Sequence, residues 1–132
     1  SSDLMILIVN VNYYCDIIQI MIIEAEKDSE AIILAYSLCI SAFGDMSFAS
    51  FCMHRVAVYK IDNKTVGMIC WIEKDRNTYI SFLAINQEHM HKGIGTALMK
   101  WLIENNKGHI FTLHVSIKNV IAIIEITIKH GI

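Results

Sequence analysis

His91-Lys92-Gly93-Ile94-Gly95-Thr96 places two glycines one residue apart, between an apolar run over residues 79–85 and an amphipathic run over residues 97–104. A strand, a glycine turn and a helix in that order build an anion pocket. Glycine has no Cβ, so successive backbone N–H groups can turn inward toward one point. The first turn of the helix adds donors without intrahelical partners and roughly half a positive charge from its macrodipole. Phosphate binding is the chemistry such a segment offers; the same six residues also satisfy a plain tight turn leading into a helix. His54, His89 and His91 raise the question of a metal. His-x-His spacing by itself is weak and no carboxylate or thiol clusters with it, so no metal is expected.

The elements around that turn alternate in type. Residues 5–11 read as a strand. Residues 13–26 have helical spacing, with Ile17, Ile20, Met21 and Glu24 on neighbouring turns and Asn12 as a cap. A second helix is expected over residues 29–41. Phe43, Phe48 and Phe51, set among Gly, Ser and Ala in residues 42–53, point either to an ordered loop beside a site or to a loop that packs the core. Residues 55–61 and 65–73 form two strands around a hairpin at Asp62-Asn63-Lys64. Lys74-Asp75-Arg76-Asn77 turns the chain into a fourth strand over residues 78–85. The glycine-led helix covers residues 93–105 and ends before Lys107-Gly108, where Gly108 suits the left-handed position after a helix. A fifth strand over residues 109–115 and a final helix over residues 119–129 complete a mixed α+β order. No internal repeat and no low-complexity tract interrupts it, and the chain contains no proline.

Composition bounds the partners. The 132 residues make one domain with room for a core, residues 1–132 being read as a single unit. A net charge of −2 with 18% charged residues gives no electrostatic case for nucleic acid or a membrane surface. Hydrophobic residues reach 55%, and about one residue in five is isoleucine, which suits a sheet-rich interior. Residues 4–23 are apolar, but Asn10, Asn12, Asp16 and Gln19 break the run short of the roughly 20 residues a span needs. No basic start leads to a cleavage site of small residues, so a cytoplasmic protein is expected. Cys15, Cys39, Cys52 and Cys70 form no Cys-x-x-Cys pair and read as reduced, buried thiols.

Residues 56–132 resemble the GNAT superfamily of acyl-CoA N-acyltransferases. The resemblance rests on Val66-Gly67 in a hairpin strand, Phe82-Leu83-Ala84-Ile85 at a strand end, the hexapeptide His91 to Thr96, and Val115 followed by Asn119 and Ala122. His130-Gly131-Ile132 is similar to the Gly-Phe that follows the family's last helix, and Asp16-Ile17-Ile18 matches the first helix more loosely. The fold this implies is a three-layer α/β arrangement of the α+β class. Its mixed, mostly antiparallel central sheet would carry helices on both faces and splay between the fourth and fifth strands. Acetyl-CoA is the implied co-substrate. Its pantetheine arm would lie along the fourth strand as an added strand, bonded by the backbone of Leu83, Ala84 and Ile85. Its pyrophosphate would sit on the loop of Met90, His91, Lys92, Gly93, Ile94, Gly95 and Thr96, and Asn119 and Ala122 would contact the coenzyme arm.

The implied reaction is transfer of an acetyl, or another short acyl, to an amine. An alkylammonium with a pKa near 10 is only about 0.1% neutral at pH 7, a deficit of roughly 4 kcal/mol, so a base is required. Glu73, Ser81 and His114 are the candidates, because strand residues beside the splay face the cleft at alternate positions. Leu83 and Ala84 would offer backbone N–H groups to the carbonyl oxygen, an effect commonly worth about 3 kcal/mol. The acceptor would be a small-molecule amine or a peptide or protein amine, and the protein could act as a homodimer. Three features depart from the family pattern. Met90 stands where Arg or Gln is usual in the loop. Ile126 stands where many members carry a tyrosine that protonates the leaving thiolate, and no tyrosine follows Tyr79. The strands that normally flank the fifth one are missing, so a C-terminal piece is expected beyond Ile132. A coenzyme-binding sensor or interaction module without catalysis is the alternative these departures raise.

Overall fold

The computed structural model describes residues 3–11 and 14–113. Among the described residues six strands form one sheet in chain order: β1 (Asp3–Val11), β2 (Tyr14–Glu24), β3 (Arg55–Ile61), β4 (Lys64–Lys74), β5 (Asn77–Ile85) and β6 (Ile110–Leu113). Every neighbouring pair is antiparallel except β5–β6, which is parallel. A parallel step needs a crossover, and α3 (Ile94–Glu104) supplies it. The other helices, α1 (Glu30–Phe43) and α2 (Phe48–Phe51), lie between β2 and β3 in the chain.

Side-chain alternation assigns the faces. Ala57, Ile69, Trp71 and Ile80 pack with Leu98, Met99, Trp101 and Leu102 of α3. Val56, Val58, Met68 and Cys70, one residue out of phase, pack with Ile32, Ala35 and Cys39 of α1 and Phe51 of α2. Helices therefore cover both faces of a mixed, mostly antiparallel sheet, as the resemblance implies.

The segment after β1 differs from the expectation. Residues 13–26, expected as a helix, hold strand β2. Nearly every position there is apolar, so helical and alternating templates both find matches, and isoleucine decides for the strand. Its β-branch is stiff against the preceding helical turn and packs well on a pleated surface. Ile20 and Ile22 join the α3-side core and Ile23 the α1 side, a period of two. The remaining strands fall where the sequence pattern puts them. Asp62 (φ 47°) and Asn63 (φ 68°) make the two-residue left-handed turn between β3 and β4, a conformation these residue types tolerate. The expected loop over residues 42–53 contains α2, whose Ser47 side chain caps it by accepting from Ser50 N–H at 3.1 Å. The last helix, expected over residues 119–129, lies outside the described residues. Cys39 and Cys70 are buried free thiols as expected, and Cys52 is a half-buried one.

Candidate functional site

Two backbone features meet at the end of β5. The first is an outward-facing strand edge. Asn86 N–H donates to Val66 O at 2.7 Å, just beyond the Gly67–Ile85 pair, so that pair is of the non-hydrogen-bonded kind. Antiparallel alternation then points the amide groups of Ala84 at Met68 and turns those of Leu83 and Ile85 away from β4. Of the two N–H groups expected to hold a carbonyl oxygen, that of Leu83 points away from β4 and that of Ala84 points at it. Among the described residues β6 pairs with β5 only from Asn77↔Ile110 to Ile80↔Leu113, short of Leu83.

The second feature is the turn into α3. Asn86 caps a single 3-10 turn (Gln87–His89) by accepting from Glu88 N–H at 2.9 Å. His91 (φ 63°) and Gly93 (φ 82°) then adopt left-handed backbone. Gly93 is the N-cap of α3, and the first bond back from the helix is Ala97 N–H to Gly93 O at 3.0 Å. The N–H groups of His91, Lys92, Gly93, Ile94, Gly95 and Thr96 bond no described residue. Six consecutive donors at a helix N-terminus are the makings of an anion site. Open space surrounds the position a Cβ would take on Gly93, and at Gly95 it would touch only Leu83 Cδ2, at 3.5 Å. Gly95 thus rests on the side chain of Leu83, so the strand edge and the amide cradle form one corner. Ile94 is buried in the core and anchors the helix start; Lys92 and Met90 are exposed.

Between that corner and the body of the sheet lies a bulge. Cys70 pairs with Phe82 but Trp71 pairs with Ile80, leaving Ser81 as the extra residue of β5. A bulge bends its strand and re-aims a side chain. Ser81 Oγ lies 3.1 Å from Nε2 of His54, a residue the sequence pattern does not single out for this role. His54 comes from the connection between α2 and β3, 27 residues away in the chain, so no local spacing announces the contact. Phe43, at the end of α1, packs its ring 5.1 Å from that of Phe82 on the same side of the sheet.

Glu73 sits elsewhere. Its Oε1 accepts from Arg55 Nη1 at 2.7 Å and from Trp71 Nε1 at 3.0 Å, while Arg55 also grips Glu24 through Nε and Nη2 at 2.7 and 2.6 Å. This cluster borders an open cleft of about 540 Å³ with Trp101 and Asn105, at the C-terminal end of α3 and so at the far end from the glycine turn. His114, Asn119 and Ala122 lie outside the described residues. No group of three or more potential metal ligands occurs among the described residues, and none of their helices is long and apolar enough to cross a membrane.

Comparison with known proteins agrees with the fold. Residues 23–124 match the family model described as the acetyltransferase (GNAT) family. No curated protein matches the chain. Among solved structures it is similar to the ribosomal-protein-S18-alanine N-acetyltransferase of Escherichia coli, with a TM-score of 0.70 and 19% identity over 85% of this chain and 76% of that one. A GNAT family acetyltransferase from Elizabethkingia anophelis with acetyl-CoA bound gives 0.67 and 19% over 85% and 74%. A GNAT family protein from Streptococcus pneumoniae gives 0.66 and 18% over 86% and 92%. At such identities the likeness is one of fold.

Proposed function

This chain belongs to the GNAT acetyltransferase family, and from that premise we propose that it moves an acetyl group, or another short acyl, from acetyl-CoA to a primary amine by direct attack on the thioester. The observation that carries this reading is the row of N–H groups from His91 to Thr96 that bond no described residue, set beside the edge of Leu83 and Ile85 turned away from β4. Donors without partners among the described residues fit a diphosphate, and a strand edge that no described residue pairs fits the amide-bearing pantetheine arm. Lys92 adds a cation at the rim. Met90 adds nothing polar, so affinity for the diphosphate rests on backbone.

When bound, the coenzyme supplies an activated acyl carbonyl on a good leaving group. The chain's own part is to position and to stabilise charge. The cradle and the strand edge fix the arm at two separated points, which orients the thioester end toward the bulge; such positioning can supply several kcal/mol of a barrier. Leu83 N–H, directed at the open side, is the donor we assign to the carbonyl oxygen. Glu73 is held by Arg55 and Trp71 away from this corner, which favours Ser81 over Glu73 as the polar side chain nearest the chemistry. The cytoplasm is the compartment we assign, since Cys39 and Cys70 remain thiols in the core.

Incubation with acetyl-CoA and a pool of primary amines and N-terminal peptides, read by mass spectrometry, tests the proposal. Acetylated product with release of free thiol is the expected result. Coenzyme binding without any acylated product would instead favour the sensor reading, which rests on the absence of any tyrosine after Tyr79 to protonate the departing sulfur.

A further inference from the structure

His54 is 9% exposed, and its two ring nitrogens face different chemistry. Nδ1 lies 3.2 Å from the carbonyl oxygen of Ser50 and 3.2 Å from that of Phe51. A carbonyl oxygen can only accept, so Nδ1 carries the proton. In the neutral ring Nε2 then keeps its lone pair, and Ser81 Oγ at 3.1 Å is the hydroxyl that donates to it. The rings of Phe51 and Phe82, with centroids 6.3 and 6.2 Å away, hold the imidazole in place. Lys27 is the charged side chain bonded to this segment among the described residues, through Cys52 O at 2.6 Å and His54 O at 2.8 Å. The imidazole is therefore oriented by groups on one side and aimed at the bulge residue on the other. Ser81, with its proton committed to Nε2, keeps oxygen lone pairs free for a third group.

Resting on the acyl-transfer reading above, we infer that His54 is the proton acceptor for the incoming amine, reached through the hydroxyl of Ser81. The acceptor's ammonium gives one proton to Ser81 Oγ as the Oγ proton passes to His54 Nε2, so Ser81 ends as it began and His54 becomes imidazolium. The neutral nitrogen then forms the C–N bond while the C–S bond breaks. The bonding pair leaves with sulfur, which takes the nitrogen's second proton, and the imidazolium returns its proton to solvent. Nothing is oxidised or reduced. Ser81 touches the reacting nitrogen; His54 acts through it and is a positioning residue that also stores the proton.

The test begins on the free protein. Nitrogen–proton NMR correlations of the histidine rings at neutral pH are expected to show His54 in the Nδ1–H form in wild type, with the Nε2 signal shifted in Ser81→Ala. With acetyl-CoA and the amine found by mass spectrometry, Ser81→Ala and His54→Gln are expected to lower kcat/KM by about 100-fold or more. Coenzyme affinity by calorimetry should stay within about twofold of wild type, the range expected for residues off the coenzyme corner. His54→Gln should also lose the acid limb of the pH–rate profile, which a purely structural role would leave in place. An Nε2–H tautomer, or a His54→Gln profile that superimposes on wild type, overturns the inference. If His54→Gln does not fold, Ser81→Ala decides, because it removes a single hydroxyl: unchanged kcat/KM overturns it. A wild-type protein that acetylates no amine overturns the acyl-transfer reading itself, a result distinct from active wild type with unaffected variants.

Discussion

Gly95 is the residue at which stability and ligand binding respond to one substitution with opposite signs. It is the second residue of α3, where a carboxylate meets the positive end of the helix and contributes roughly 0.3–1 kcal/mol. A Cβ there finds only Leu83 Cδ2, at ordinary contact distance. Gly95→Asp is therefore expected to fold and to melt no lower than wild type by differential scanning fluorimetry. The same carboxylate would oppose a diphosphate on the neighbouring amides, and charge repulsion of about 1–4 kcal/mol at such separations weakens binding by roughly 5- to 1000-fold. Calorimetry that finds unchanged coenzyme affinity would remove the cradle from the argument. The buried thiols respond to pH instead. Burial pushes Cys39 up to about 11, and burial together with the nearby Cys39 pushes Cys70 up to about 12, against a backbone bond from Phe82 that lowers it. Folded thiols then hold protons that the unfolded chain releases above its ordinary value near 9. The sign follows: stability is full below about pH 9 and falls as pH rises toward 11 to 12. A melting temperature that is flat from pH 7 to 8.5 and drops beyond pH 9 is the expected curve, and Cys39→Ala with Cys70→Ala should flatten it.

At the scale of elements, Arg55 ties three strands together at the end of the sheet remote from the glycine turn. Its guanidinium bonds Glu24 of β2 and Glu73 of β4 and lies 5.4 Å over the Trp71 ring. The partners are part-exposed, so each pair is worth little; the network and the ring contact together contribute about 1–2 kcal/mol. Urea unfolding of Arg55→Ala should show that loss at low salt and a smaller one at 1 M salt, where the Debye length is near 3 Å. Glu73→Gln should leave the rate of acyl transfer unchanged, as its carboxylate serves this network. The strands tied here also show what a sequence pattern can and cannot reveal. β3 and β4 are legible as short apolar runs, buried on both faces and bounded by turn residues at Asp62-Asn63 and at 74–77, and α3 as a one-faced apolar period opened by Gly93. β2 is not, because a largely apolar run satisfies either period; its isoleucines favour the strand and its pairing with β1 and β3 fixes it. The bulge at Ser81 has no glycine to announce it; it arises from the mismatch with Cys70 and Trp71 on the partner strand. His54 is invisible for a related reason, since its meaning comes from a contact across 27 residues. The glycine turn is the legible part of the site, because backbone chemistry depends on residues that are adjacent in the chain.

For the whole molecule, the coenzyme corner belongs to two elements that a long ligand would join, and thermal stability offers a way to see both halves. A ligand that binds only the folded state at 100 times its dissociation constant adds about 2.7 kcal/mol, a rise in melting temperature on the order of 10 °C for a chain of this size. On the proposed reading coenzyme A would span the amide cradle at 91–96 and the edge at Leu83 and Ile85, so it is expected to give a shift of this order. ADP carries the diphosphate without the arm, and pantetheine the arm without the diphosphate. Each alone, at the same concentration, should shift the transition by only a few degrees, because each engages one element and orders itself separately. The two added together should still fall short of coenzyme A, since the covalent link makes the second contact intramolecular. Gly95→Asp then separates the halves: it should abolish the ADP shift and leave the pantetheine shift intact. Pantetheine matching coenzyme A in wild type would mean that the row of unbonded N–H groups at the head of α3 contributes nothing to binding, and the diphosphate would have to be sought on another surface.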